Sequence, residues 1–313
     1  MYTTTYEKHG RHTLIKLTNI QTGEFFSIIP DCGAKVHEIV LRKKDQLFSI
    51  IDNEKDPDVV MNDNWHKGEF LIPFPNRIKG GTYEFMGQRY SFDINMPEEG
   101  NAIHGIVYNR TFSLTQSSYE SNELTFEYLY SGDIAGYPFP NKITYTFKLL
   151  LSAFSCSISV TNNGNEALPL GVGWHPYFTL GTEIDNLELL IPESNTISVD
   201  DTMIPTGEKE FFNDYVDFLK IEDTIFDTGF EILNKETVAI TSIRNPQTDL
   251  TIELQQKTGV VGFNYVQIFT PPGRKTIALE PMTCPADAFN SNESLIIINP
   301  NESWNGDFQI SLK

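Results

Sequence analysis

Phe154-Ser155-Cys156-Ser157-Ile158-Ser159-Val160 alternates apolar and small polar side chains without a break. A period of two puts Phe154, Cys156, Ile158 and Val160 on one face of a strand and the serines on the other, the pattern of a half-buried antiparallel sheet. The stretch runs into Asn162-Asn163-Gly164-Asn165, a hairpin turn signal, which predicts a partner strand directly after it. Outward from there, the same strand-and-turn rhythm recurs in both directions. Strand patterns occupy residues 14–17, 25–29, 35–41, 124–130 and 142–149 on one side, and 238–243, 250–254, 265–270, 295–298 and 304–312 on the other. Residues 82–92 read as a hairpin turning at Met86-Gly87. His37 shares a strand face with Ile39 and Leu41 and reads as structural. One short segment, residues 208–213, has a helical composition. No linker or low-complexity stretch interrupts the rhythm. The expectation is an all-β chain: one large antiparallel β-sandwich domain over residues 1–313, with two or more sheets packed face to face.

The composition narrows the function classes. The chain has 313 residues, 40% of them hydrophobic, enough for a sizeable core. The net charge of -19 and a pI near 4.6 work against nucleic acid and anionic membranes as partners. Cys32, Cys156 and Cys284 have no metal-type spacing, and an odd number of scattered cysteines suits a reducing compartment. The first residues lack the apolar core of a signal peptide, and no apolar run approaches the roughly 18 residues of a membrane span. A soluble, cytoplasmic protein is expected.

Two stretches carry the chemistry. Gly171-Val172-Gly173-Trp174-His175-Pro176-Tyr177-Phe178 sets a histidine among apolar neighbours, and the next residue, a proline, biases it toward extended backbone. Ile277-Ala278-Leu279-Glu280-Pro281-Met282-Thr283 sets an acid in the same manner, so His175 and Glu280 suggest a paired acid and base. Asn76 and Arg77 lie between two prolines and two glycines, on irregular backbone where polar side chains are often functional. His104 precedes Gly105, which allows a close backbone approach. Asp227 and Gln267 complete the set. The chain has no Gly-x-Ser-x-Gly elbow, Walker loop or dinucleotide fingerprint. Two histidines and a carboxylate are the makings of a facial metal triad, but the expectation is that no metal is held.

Taken in order, these residues resemble the aldose 1-epimerase (galactose mutarotase) family over nearly the full length. The resemblance rests on Ile28-Ile29-Pro30-Asp31-Cys32-Gly33-Ala34, Pro75-Asn76-Arg77-Ile78, Ile103-His104-Gly105, Trp174-His175-Pro176-Tyr177-Phe178, Phe226-Asp227-Thr228-Gly229-Phe230, Val266-Gln267-Ile268-Phe269-Thr270 and the Glu280 stretch. Thr228-Gly229 stands where the family has a bulkier pair, which makes Asp227 the weakest match. The resemblance implies a supersandwich fold and interconversion of the α and β anomers of a free hexose. It implies Glu280 as general base, His175 as general acid, His104 at the ring oxygen, and Arg77, Asn76, Asp227 and Gln267 on the sugar hydroxyls, with no cofactor.

That implication agrees with the chemistry. Opening a pyranose needs the anomeric hydroxyl deprotonated while the ring oxygen is protonated, and a carboxylate and an imidazolium on opposite sides of the sugar would do both. A nearby carboxylate would keep His175 charged near neutrality. Trp174, Tyr177 and Phe178 are aromatic candidates for the sugar's C–H face, although core packing is the commoner fate for at least two of them. Arg77 has an ordinary alternative as half of a buried ion pair. Competing functions are a non-catalytic carbohydrate-binding protein on the same fold, a sugar-phosphate mutarotase drawing on Arg77, Arg89 and Arg110, and a metal-dependent isomerase. The expected partner is a small-molecule sugar; which sugar, and in what oligomeric state, the sequence leaves open.

Overall fold

The computed structural model describes residues 1–117, 121–235 and 237–313. Three antiparallel sheets carry most of the chain. The first is a meander of five strands in sequence order: Tyr2–His9, His12–Asn19, Phe25–Ile29, Lys35–Lys43 and Gln46–Ser49. The second has nine strands, and Ala153–Asn162 lies near its middle, paired with Asn141–Leu150 on one side and Ser303–Leu312 on the other. Its alternation is realised in space: Phe154, Cys156, Ile158 and Val160 are buried, and the intervening serines are half-buried. The third sheet has eight strands and builds the candidate site.

The hairpin expected after Asn162 does not form. Leu168–Leu170 pairs instead with Ile296–Ile298, and the C-terminal strand Ser303–Leu312 takes the place beside Ala153–Asn162. The turn residues are spent in a local knot: the Asn162 side chain donates to the carbonyls of Glu166 and Ile298 and accepts from the Gly164 amide. Such side chain-to-backbone bonds stabilise a turn without fixing where the next strand pairs. The hairpin at Met86-Gly87 does form, joining Thr82–Phe85 to Gln88–Ser91.

The helical expectation for residues 208–213 is also overturned. Residues 208–212 fall in the strand Pro205–Phe212, which pairs with Ser194–Val199 at the edge of the eight-stranded sheet. Glu208, Lys209 and Glu210 are exposed there, and Lys209 reaches Glu231 and Glu293. Charge on an edge strand blunts further pairing, so good helix formers stand in a strand for a sheet-level reason. Among the described residues the α-helical segment is the single turn Ala288–Ser291.

The sheets meet through aromatic rings. Phe26 of the first sheet packs on Phe154 of the second, with centroids 5.2 Å apart. Phe70 of the third stacks on Tyr145 of the second at 4.3 Å, and Trp174 on Phe308 at 4.9 Å. Each such side chain contributes roughly 1.5–3 kcal/mol when fully buried. His37 is buried with its ring 4.9 Å from that of His9.

Candidate active site

The register of the eight-stranded sheet assembles the site. Gly173 pairs with Met282 and Tyr177 with Ala278, so His175 stands across from Glu280 in the interval between those pairs. On the other side of Ile277–Met282, Glu280 pairs with Gln267 of Tyr265–Phe269. Gln267 in turn lies opposite Gly229, two residues from Asp227 on the strand Asp227–Ile232. Directly opposed residues in antiparallel strands point to the same face, as do residues two apart. His175, Glu280, Gln267 and Asp227 thus share one face by register alone.

Asn76, Arg77 and His104 approach from a two-stranded ribbon in which Arg77 pairs with Ile103. The His104 amide donates to the Asn76 carbonyl at 2.9 Å, and the two residues have positive φ of 64° and 56°. Gly105 makes the turn possible: a Cβ there would lie 2.2 Å from the Ile72 carbonyl oxygen. Backbone held in such regions is characteristic of sites whose surroundings over-determine it.

All seven expected residues line one cavity of about 210 Å³. His175 Nε2 lies 3.4 Å from Glu280 Oε1, and both side chains are almost fully buried. The His104 and His175 rings are edge-to-face at 5.3 Å. A chain of hydrogen bonds runs along the opposite wall. Arg77 is bidentate to Glu99, its Nη2 reaching Oε1 at 2.8 Å, and its Nη1 donates to Asn76 Oδ1. Asn76 Nδ2 donates to Gln267 Oε1 at 3.4 Å, and Gln267 Nε2 to Asp227 at 2.8 Å. The arginine fork expected to grip hydroxyls is largely engaged by Glu99, so the buried ion pair and the pocket position coexist.

Burial governs the proton positions. It pushes the Glu280 carboxyl well above the usual carboxylate range, with Asp227 adding to the rise and Arg77 opposing it. It brings His175 down to about 3, with His66 lowering it further. His104 also falls well below its ordinary value through burial, then through His66 and His175. The proton of the pair therefore rests on Glu280. This corrects the expectation of a charged His175: the neighbouring carboxyl is itself too desolvated to hold the compensating charge. The expectation that the two groups flank the sugar from opposite sides is corrected as well, since they touch.

Several residues of the site escaped the sequence reading. Trp65, 43% exposed, and Phe269 line the cavity with ring centroids 6.2 Å apart, whereas Trp174 and Phe178 are core and only Tyr177 of the expected aromatics faces the pocket. Glu99 sits in the acidic stretch Met96-Pro97-Glu98-Glu99, with nothing local to mark it. His66 also lines the cavity, its ring 4.6 Å from that of His104. It follows residues 52–64, an Asp/Asn-rich stretch whose loop composition gives no sign of it.

Among the described residues one grouping could hold a metal ion: His12, Asp31 and Cys32, outside the cavity lining. His12 Nδ1 is already 2.6 Å from Asp31 Oδ2, and burial pushes the Cys32 thiol up to about 12, so the cluster is suited to a thiol and a hydrogen-bonded imidazole.

A family model described as aldose 1-epimerase matches residues 16–311. The chain belongs to the aldose 1-epimerase family. Among its relatives is the uncharacterized protein YihR of Escherichia coli K12, 31% identical over 241 residues, covering 74% of this chain and 75% of that protein. Human galactose mutarotase is 30% identical over 137 residues, 42% of this chain and 39% of its own length. Solved structures share the family fold. A galactose mutarotase-like protein from Clostridium acetobutylicum superposes with a TM-score of 0.84 at 20% identity, covering 100% of this chain and 98% of that one. The aldose epimerase homologue from Caenorhabditis elegans gives 0.81 at 15% identity, covering 99% of each. For this member of the aldose 1-epimerase family the antiparallel supersandwich is thus established.

Proposed function

We propose that the chain is a cofactor-independent aldose 1-epimerase, a single catalytic domain over residues 1–313 that interconverts the α and β anomers of a free hexose. The observation that carries this is the buried His175–Glu280 contact at 3.4 Å in a cavity walled by hydrogen-bonding side chains. The two oxygens that must exchange protons, the anomeric hydroxyl and the ring oxygen, are bonded to the same carbon. An adjacent acid and base therefore serve them together.

The reaction needs one proton taken and one given, and the pair holds one. Glu280 takes the anomeric hydroxyl proton; the ring C–O bond breaks, its electrons stay on the ring oxygen, and His175 delivers a proton there. The neutral pair reaches this order by passing its proton from Glu280 to His175 across their contact. A sugar hydroxyl bonded to Glu280 favours the anion and so the transfer. His104 sits beside His175 as a partner for the ring oxygen. Rotation about the exposed C–C bond and reversal of the steps give the other anomer. Asn76, Gln267 and Asp227 orient hydroxyls, with Arg77 bracing Asn76.

A free sugar suits the cations better than a sugar phosphate. Arg77 is paired with Glu99, Arg110 with Asp133 at 3.4 Å, and Arg89 lies on the exposed strand Gln88–Ser91. Phosphate recognition calls for converging unpaired guanidinium groups. The test is polarimetry of freshly dissolved α-D-glucose and α-D-galactose with and without the protein. Faster mutarotation that persists in chelator is expected. Binding without acceleration would favour a carbohydrate-binding protein, and loss in chelator restored by a divalent ion would favour a metal-dependent isomerase.

A further inference from the structure

His66 enters the cavity from a loop that is built, not merely connecting. The Asp63 carboxylate, 4% exposed, accepts from the Trp65 and Lys67 amides, and the Asp63 carbonyl accepts from the His66 amide. His66 itself has a positive φ of 53°. The next residues are clipped to the catalytic strand: the Gly68 amide donates to the His175 carbonyl and the His175 amide to that of Glu69. The loop position and the His175 position are therefore one rigid arrangement.

The imidazole is also fixed from behind. His66 Nδ1 is 2.9 Å from Glu69 Oε2, and Glu69 Oε1 is 3.0 Å from Lys35 Nζ, with Lys35 also donating to the Val60 carbonyl. Burial would raise Glu69, but Lys35 and His66 outweigh it and hold the carboxyl below its ordinary range. An ionised Glu69 only accepts, so Nδ1 carries the proton. With Nδ1 engaged, the second ring nitrogen, Nε2, is the one left to hydrogen-bond a ligand. Glu69 and Lys35 are 2% and 1% exposed, yet the His66 side chain stays 23% exposed and lines the cavity. A residue recruited only to satisfy Glu69 would not need that open edge.

We propose that His66 contacts the sugar: the Lys35–Glu69 pair fixes its Nδ1 and leaves Nε2 to hydrogen-bond a hydroxyl on the His104 side of the cavity. This deepens the epimerase reading and rests on it. His66 is a binding and selectivity residue, so its loss raises KM with little change in kcat, the pattern of uniform binding.

The test is a thermodynamic cycle with monodeoxy derivatives of D-glucose and D-galactose. Affinities of the native protein, His66→Ala and His66→Gln are measured by calorimetry, and turnover by polarimetry. In the native protein, removing the partner hydroxyl should weaken binding about ten- to a hundredfold, the range for a well-placed hydrogen bond in a buried site. In His66→Ala that one penalty should vanish while penalties at the other positions persist, and His66→Gln, which retains a hydrogen-bonding group, should restore part of it. A His66→Ala protein that stays folded and keeps every deoxy penalty overturns the proposal. Sugar binding without turnover by the native protein would instead overturn the epimerase reading and leave the His66 cycle readable. A chain that neither binds nor turns over these hexoses overturns both.

Discussion

At the scale of single residues, the pair His175 and Glu280 decides the chemistry. Glu280→Gln keeps size and hydrogen bonding, and mimics the protonated carboxyl, so the protein should fold normally. Positioned acid–base groups contribute roughly 10²–10⁴-fold each. Glu280→Gln and His175→Asn are each expected to lower kcat in that range while sugar affinity changes far less. The double variant should lose little more than the worse single one, because one relay is broken once. The pH–rate profile should be bell-shaped, but its limbs belong to the coupled pair. Activity falls in acid when His175 also gains a proton, near pH 3 by its depressed value, and falls in alkali when the shared proton leaves, above the usual carboxylate range because burial raises Glu280. A stopped-flow polarimetric profile with its acid limb near the ordinary histidine value would contradict that order. The proline-flanked histidine and acid were legible as a pair from the sequence, since both stood in apolar strand ends. Their proton states were not, because burial from strands far apart in the chain sets them. Glu99 acts on Arg77, a partner 22 residues away in the chain, and His66 follows a polar Asp/Asn-rich stretch, so no local pattern announces either.

At the scale of elements, the His104 turn is the part most exposed to disruption. Gly105 has φ of 72° and lies against the Ile72 carbonyl. Gly105→Ala introduces both an unfavourable conformation and a backbone clash, so it should destabilise the protein by more than the ~1 kcal/mol that a strain-free glycine replacement gains. It should also displace His104 from Asn76 and lower kcat/KM; urea midpoints and polarimetry check the two effects separately. Strands were readable wherever period-two alternation reflected one buried face, as in Ala153–Asn162 and Asn141–Leu150. The misreadings share a cause. Residues 208–213 have the composition of a helix but cap a sheet edge, and the Asn162 turn closes on itself while a strand from the far C-terminus pairs alongside. Non-local pairing overrides local propensity in both.

At the scale of the whole molecule, buried histidines tie stability to pH. Burial lowers His37 to about 4, with His9, Lys35 and Lys55 adding, and His175 lies lower still. Between the ordinary histidine value near 6.5 and those depressed values, the unfolded chain binds protons that the native chain excludes. Stability therefore falls as pH falls through that window, His37 alone accounting for about 3 kcal/mol. Glu280 runs the other way, contributing stability that is lost as pH rises through its elevated value. His37→Leu should flatten the slope of the urea midpoint between pH 6.5 and 4, and an unchanged slope would remove His37 from the account. The fold class was legible throughout, because the repeated alternation admits little but sheets, whereas the joining of the sheets through Phe26, Phe70 and Trp174 was not. Lys35 adds a consequence for descent. It belongs to the first sheet, yet its ammonium is neutralised by Glu69 beside the third. Removing one member of a buried ion pair costs about 3–5 kcal/mol, while exchanging both for apolar groups costs little. Lineages of this family should accordingly inherit Lys35 and Glu69 together or lose them together, with His66 accompanying the pair, so that one lysine in the N-terminal sheet marks which sequences carry the third histidine.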